Sequence, residues 1–262
     1  MKVKEITSVI EEFAPLSYQE SYDNAGLIVG SPEQEVAKAL LCVDITEEVM
    51  DEAETIGADM VIAHHPIIFH PLKRFNGSTY VERVVARAIR RGTALYACHT
   101  NLDSTAGGMS WRLAEMLGIT SLSVLEPTRP EHQDVGFGVI GSLPRPETTI
   151  GFLSRMKQQF GLKAVRYSNP VSETVSRIAL CTGAGASLLD LVKRSGAQLY
   201  IAADFKYNDF LDASGLVTLA DIGHFESEYC AIDLIFDVIS KKLPNFALHK
   251  SVNSRNPINY LV

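Results

Sequence analysis

The sequence predicts an α/β protein made of two similar α/β domains that face each other. Short apolar runs alternate with amphipathic helical stretches, which is the signature of parallel strands joined by helices. One strand–helix–strand pattern also recurs further along the chain, and 262 residues suffice for two cores. The expected division is one domain of residues 1–127 plus 221–262 and a second domain of residues 128–220.

Taken in order, residues 3–13 carry apolar positions at helical spacing. The run Tyr22-Asp23-Asn24-Ala25-Gly26 predicts a tight turn feeding a short strand that ends near Gly30. Residues 38–44 read as a strand. Thr46 then caps a helix with Glu47 and Glu48 in its first turn, and Gly57 ends that helix. The next strand, Asp59-Met60-Val61-Ile62-Ala63, runs into His64-His65 and is stopped by Pro66. A strand this apolar suits a parallel sheet covered on both faces. Residues 80–91 predict a basic helix, 92–98 a strand and 110–118 another helix.

Near Pro127-Thr128-Arg129-Pro130 the chain is expected to cross into the second domain. Strands follow at 136–141, 164–167 and 178–181, with helices at 150–160 and 187–195. A shift of 139 positions sets Leu41-Cys42 on Leu180-Cys181, Gly57-Ala58 on Gly196-Ala197 and Ile62-Ala63 on Ile201-Ala202, with Asp204 in the place of His65. The duplicated half-domain rests on that match. A strand at 216–221, a final helix at 229–242 and a terminal strand at 258–262 complete the expectation.

Composition excludes several classes. No window approaches the ~18 uninterrupted apolar residues of a membrane helix. The N-terminal stretch carries acids inside its apolar run, so it makes an amphipathic helix and not a signal peptide, and a cytoplasmic location is the expectation. The net charge of −7 argues against a general nucleic-acid-binding face. Cys42, Cys98, Cys181 and Cys230 form no CxxC pair and read as buried free thiols.

Chemistry-bearing residues gather at three strand ends, where open parallel sheets bind their ligands. His64 and His65 follow one strand, His99 and Asp103 the next, and His224 and Glu228 the last. The spacing of four puts His224 and Glu228 on one helical face. Taken together, the imidazoles and carboxylates suit a pair of borderline divalent ions such as Zn, Mn, Fe or Co. The absence of cysteine from the set argues against a closed structural zinc site.

These same stretches carry a family resemblance. Tyr22-Asp23-Asn24-Ala25-Gly26-Leu27-Ile28-Val29-Gly30, Ala63-His64-His65-Pro66, His99-Thr100-Asn101-Leu102-Asp103 and Gly223-His224-Phe225-Glu226-Ser227-Glu228 resemble the NIF-three-like family, the GTP cyclohydrolase 1 type 2 homologues. The resemblance spans nearly the whole chain and is to the short form, without an inserted domain. It implies a toroidal homohexamer with two metal ions per subunit facing the inner cavity. It further implies His64 and Asp103 on one ion, His65 and His224 on the other, and Glu228 touching both. Tyr22 stands where members often have tryptophan, and Asn208 where many have histidine.

The resulting expectation is a dinuclear metal-dependent hydrolase acting on a purine nucleotide. The alternatives are a phosphoester or damaged-nucleotide hydrolase at the same centre, and a non-enzymatic ring that binds metal or a regulatory partner. His99 serves proton transfer, support of the ligands, or a purely structural role. Asp23 and Asn24 either orient a substrate or a ligand or only form the turn. Lys73-Arg74 either meets a phosphate or is a solvated loop, and the Gly183-Ala184-Gly185 turn either cradles a phosphate or simply precedes a helix.

Overall fold

The computed structural model describes residues 1–261, and two compact units account for them. The chain opens with α1 (Val3–Phe13) and β1 (Gly26–Val29), then a βαβ element of β2 (Lys38–Cys42), α2 (Glu47–Ile56) and β3 (Met60–Ala63). A long loop leads to α3 (Tyr80–Arg91), β4 (Ala94–Ala97) and the single turn α4 (Thr100–Ser104). The other unit is built from α5 (Met109–Met116), β5 (Thr120–Arg129), β6 (His132–Thr148), α6 (Thr149–Gln159), β7 (Arg166–Tyr167) and β8 (Thr174–Ala184). It continues with α7 (Leu189–Arg194), β9 (Leu199–Ala203), α8 (Tyr207–Asp212), β10 (Thr218–Asp221) and α9 (His224–Glu228). Finally α10 (Cys230–Lys242) and β11 (Ala247–Lys250) close the chain's regular structure.

The first unit holds residues 1–105 and 231–255 and a five-stranded sheet ordered β1-β4-β3-β2-β11. Only β1 runs antiparallel to its neighbour. Every residue of β3 is buried, and Leu40, Val61 and Leu95 pack against Val49, Met50, Val84 and Val85 from α2 and α3. Each such Leu or Val contributes roughly 1.5–3 kcal/mol by leaving water. The caps follow the sequence: the Thr46 hydroxyl accepts from Val49 N at 3.3 Å, and Gly57 takes the left-handed φ of 66° that ends α2.

The second unit holds residues 106–230 and the chain from Asn256, with a six-stranded sheet ordered β5-β6-β8-β9-β10-β7. Its strands alternate between two cores, as the two-residue period of a sheet requires. Val139, Ile178, Leu180, Leu199 and Ile201 meet Leu113, Phe152 and Met156, while Ile140, Ala179, Tyr200, Ala202 and Leu219 meet Leu189, Val192 and Phe205. All four cysteines are free and buried.

Three expectations change. Residues 127–130 are no crossing between domains: β5 and β6 pair antiparallel there, with Arg129 opposite His132 at the hairpin tip. Because β5 belongs to the second sheet and α5 packs on the same strands, the division falls at 105/106, 230/231 and 255/256, not at 127/128 and 220/221. The terminal strand lies at Ala247–Lys250, parallel to β2, and residues 258–261 form none. Val262 lies outside the described residues.

Candidate metal centre

In the first unit two strand ends deliver three histidines to one place. β3 passes beyond Ala63 with its backbone still paired, His64 N to Cys42 O and His65 N to Val43 O, so the two imidazoles leave the sheet at a fixed height. Beyond the end of β4, His99 joins them. The ring centroids are 4.9 Å apart for His64–His65 and 5.4 Å for each of the other two pairs. One ring nitrogen from each lies within 4.8 Å of the others.

The opposite nitrogens are all engaged. His64 Nδ1–H donates to Cys98 O at 2.8 Å, His65 Nδ1–H to Asp44 Oδ1 at 2.8 Å, and His99 Nδ1–H to Asp23 Oδ1 at 2.7 Å. A carbonyl or carboxylate oxygen can only accept, so each contact fixes the tautomer and leaves Nε2 as the lone-pair nitrogen. Asp103, from α4, brings Oδ1 to 3.8 Å from His64 Nε2.

Asp23 is the best-held of these carboxylates. Burial works to raise its pKa, but donors from His99 and Thr100 outweigh it and bring the value to about 2. Its Oδ2 also accepts from Thr100 N at 3.0 Å, which locks the start of α4. Asn24 Nδ2 donates to Ile68 O at 2.7 Å, so the 22–24 turn ties His99 to the loop after His65. The turn therefore has work beyond reversing the chain.

In the second unit His224 Nδ1–H donates to Asp204 Oδ2 at 2.6 Å, while its Nε2 stands 3.1 Å from Glu228 Oε2 one helical turn away. The Glu228 contact, opposed by burial and helped by Asp204, raises the imidazole pKa to about 9. Glu228 is buried and occupies space that only glycine leaves open. A Cβ on Gly183 would sit 2.2 Å from Glu228 Oε1, and Gly183 takes a left-handed φ of 65°. The Gly183-Ala184-Gly185 segment thus makes room for a carboxylate, at the end of β8.

The donor set fits divalent ions. Nitrogen and oxygen donors of this kind suit borderline metals, and each imidazole has the supporting acceptor that ligating histidines characteristically have. Cys98, beside the cluster, is no thiolate: burial, then the charges of Asp103 and Glu11, push its pKa up. Sequence reasoning found His64, His65, His99, Asp103, His224 and Glu228 but gave Asp44 and Asp204 no supporting role. Asp44 was visible in principle, because continuing the β2–β3 register past Cys42 opposite Ala63 sets Asp44 opposite His65. Lys73 and Arg74 are exposed in the loop that follows.

Two mixed α/β sheets whose strand ends present imidazole and carboxylate donors define an α/β protein with candidate metal-binding groups. The sequence profile of the Duf34/NIF3 (NGG1p interacting factor 3) family matches residues 1–257, and the chain belongs to that family. It is 32% identical over 244 residues to a "GTP cyclohydrolase 1 type 2 homolog" of Clostridium perfringens, covering 93% of each. It is 29% identical over 246 residues to NIF3-like protein 1 of Drosophila melanogaster, covering 92% of this chain and 83% of that one. Among solved structures, a Bacillus cereus protein related to NIF3 superposes with a TM-score of 0.91 at 23% identity, covering 100% of this chain and 99% of the other. A Staphylococcus aureus hypothetical protein gives 0.90 at 25%, with the same coverage. Among the described residues, no helix is long and apolar enough to cross a membrane.

Proposed function

We propose that this protein is a dinuclear metal-dependent hydrolase of a purine nucleotide, GTP cyclohydrolase-like, working as a cytoplasmic toroidal homohexamer. The supporting observation is the set of four histidines, each with Nδ1–H held by an oxygen acceptor so that Nε2, once without a proton, is the nitrogen that would bind a cation. In this proposal His64 and Asp103 hold one ion, His65 and His224 the other, and Glu228 both. The names of the relatives support the substrate class, and the histidine and carboxylate chemistry supports the reaction class.

When bound, two divalent ions supply Lewis acidity and make water a nucleophile near neutral pH. The protein's own residues do the rest. Asp44, Asp23 and Asp204 orient imidazoles, and the backbone of β3 sets the spacing of His64 and His65. His99 Nε2, fixed as an acceptor by Asp23, takes a proton from the attacking water or returns it to the leaving nitrogen. Asp103 and Glu228 add negative charge that favours cations over other occupants.

The test is GTP turnover by metal-loaded protein, with elemental analysis of what the protein retains. His65→Ala and Glu228→Ala should each abolish turnover, and unchanged turnover in either refutes the proposal. A panel of nucleotides and phosphoesters separates this reaction from other hydrolysis at the same centre. Tight metal binding with no turnover on any member would mark a non-enzymatic ring.

A further inference from the structure

The loop from Pro66 to Thr79, between β3 and α3, is longer than most connections in a compact domain and has no regular structure. Loops of that length are commonly functional. It is nonetheless pinned at both ends. Asn24 Nδ2 holds Ile68 O, and at the far end Glu82 accepts from Asn76 N and Ser78 N, both at 3.0 Å.

On the pinned segment Phe69 stays exposed. Its ring stands edge-on to His99, centroids 5.9 Å apart, and edge-on to Tyr22 at 6.4 Å. Tyr22 is 64% exposed and Phe69 39%. These aromatic rings are therefore continuous with the imidazole cluster. They are fixed by the backbone on either side, and they present unused ring surface to solvent.

We propose that Tyr22 and Phe69 form a stacking subsite on the rim of the His64–His65–His99 cluster, which takes a planar nitrogen heterocycle such as the base of a nucleotide. Aromatic side chains stack on any flat π-system, and preformed ligand sites typically pair such surfaces with a few polar groups. The polar groups here are His99 and the Tyr22 hydroxyl. Burial, then Glu20, Asp23 and Asp103, raise the phenol's pKa, so it remains a donor for a ring nitrogen or carbonyl. A ring seated there lies against the imidazoles, which is where ring opening would take place. The subsite deepens the nucleotide hydrolase proposed above and rests on it for the identity of the ring.

The experiment uses the metal-loaded full chain with Phe69→Ala, Phe69→Leu and Tyr22→Ala. GTP and inorganic triphosphate binding are measured by calorimetry, and metal content by elemental analysis. Both Phe69 variants and Tyr22→Ala should weaken GTP binding about tenfold, leaving triphosphate binding and metal content unchanged. Phe69→Leu, which keeps the apolar bulk without a π face, guards against a folding artefact. Equal weakening for GTP and triphosphate overturns the proposal. So does a change in oligomer mass with GTP binding unaltered, which would make the patch a contact between chains. GTP hydrolysed with unchanged KM in Phe69→Ala sinks the subsite and spares the hydrolase. Failure to bind or hydrolyse any nucleotide, with free guanine still bound in a Phe69-dependent way, does the reverse.

Discussion

Asp44 and Asp204 each place one carboxylate oxygen on an imidazole Nδ1, at 2.8 and 2.6 Å. Removing such a partner frees the ring to rotate and change tautomer, and typically costs 10–100-fold in metal affinity. Asp44→Ala and Asp204→Ala are therefore expected to weaken metal binding by about that factor, measured by competition with a chromogenic chelator. Asparagine at either position retains an acceptor oxygen and should lose less. Gly183 acts at the same scale by what it lacks. Its left-handed φ of 65° and the 2.2 Å approach of a built Cβ to Glu228 Oε1 mean that Gly183→Ala must displace the carboxylate. The expected result is a loss of retained metal together with about 1 kcal/mol or more of stability, since alanine is strained at positive φ. Wild-type metal content in that variant would show that Glu228 is not a ligand.

Among the elements, α2 does more than link β2 to β3. Its Glu52 accepts from Ser251 Oγ at 2.6 Å and from the backbone of Val252 and Asn253 at 3.0 and 3.1 Å, fastening the segment after β11. Burial works to raise this carboxyl's pKa, but those donors prevail and hold it below its usual value. A carboxyl with a depressed folded pKa stabilises the fold above its unfolded pKa and loses that contribution as pH falls through the folded one. Glu52→Gln should thus cost about 1 kcal/mol at neutral pH, allowing for solvent screening of a half-buried group, and the difference should fade in acid. Urea titrations at pH 7 and pH 3 measure it, and a constant difference would count against the ionic contacts. The elements themselves differed in how plainly the sequence announced them. α2 was legible because Thr46, Glu47 and Gly57 mark it locally, and β3 because it is apolar throughout. The β5–β6 hairpin was not, since β5 lies at a sheet edge with mostly exposed or half-buried residues and shows little alternation. β11 was missed for the same reason, as its burial is partial and its strand identity comes from pairing with β2.

Across the molecule, the repeat read from the sequence returns as strand register. Leu41 faces Ile62 and Leu180 faces Ile201, both pairs parallel and 139 positions apart. Each unit then adds one further parallel strand, β4 or β10, and an antiparallel edge strand, β1 or β7. Equivalent strand ends carry the candidate ligands, followed in each unit by a single-turn helix, α4 bearing Asp103 and α9 bearing Glu228. Asp44 and Asp204 escaped the sequence because they reach their imidazoles across neighbouring strands, and only pairing reveals that. In the proposed ligand assignment His65 and His224 share one ion. A ligand that binds only the folded chain at a thousand times its Kd adds about 4 kcal/mol of stability, so chelation should lower the thermal midpoint by about 10 °C. His65→Ala and His224→Ala should each abolish the contribution of their common ion. The double variant should then lose little more than either single one, because a broken ligand set cannot be broken twice. His64→Ala, which acts on the other ion, should add to His224→Ala more nearly in full. Differential scanning calorimetry at one metal concentration reads the five variants against the wild type, and additive losses for His65 and His224 would place them on different ions.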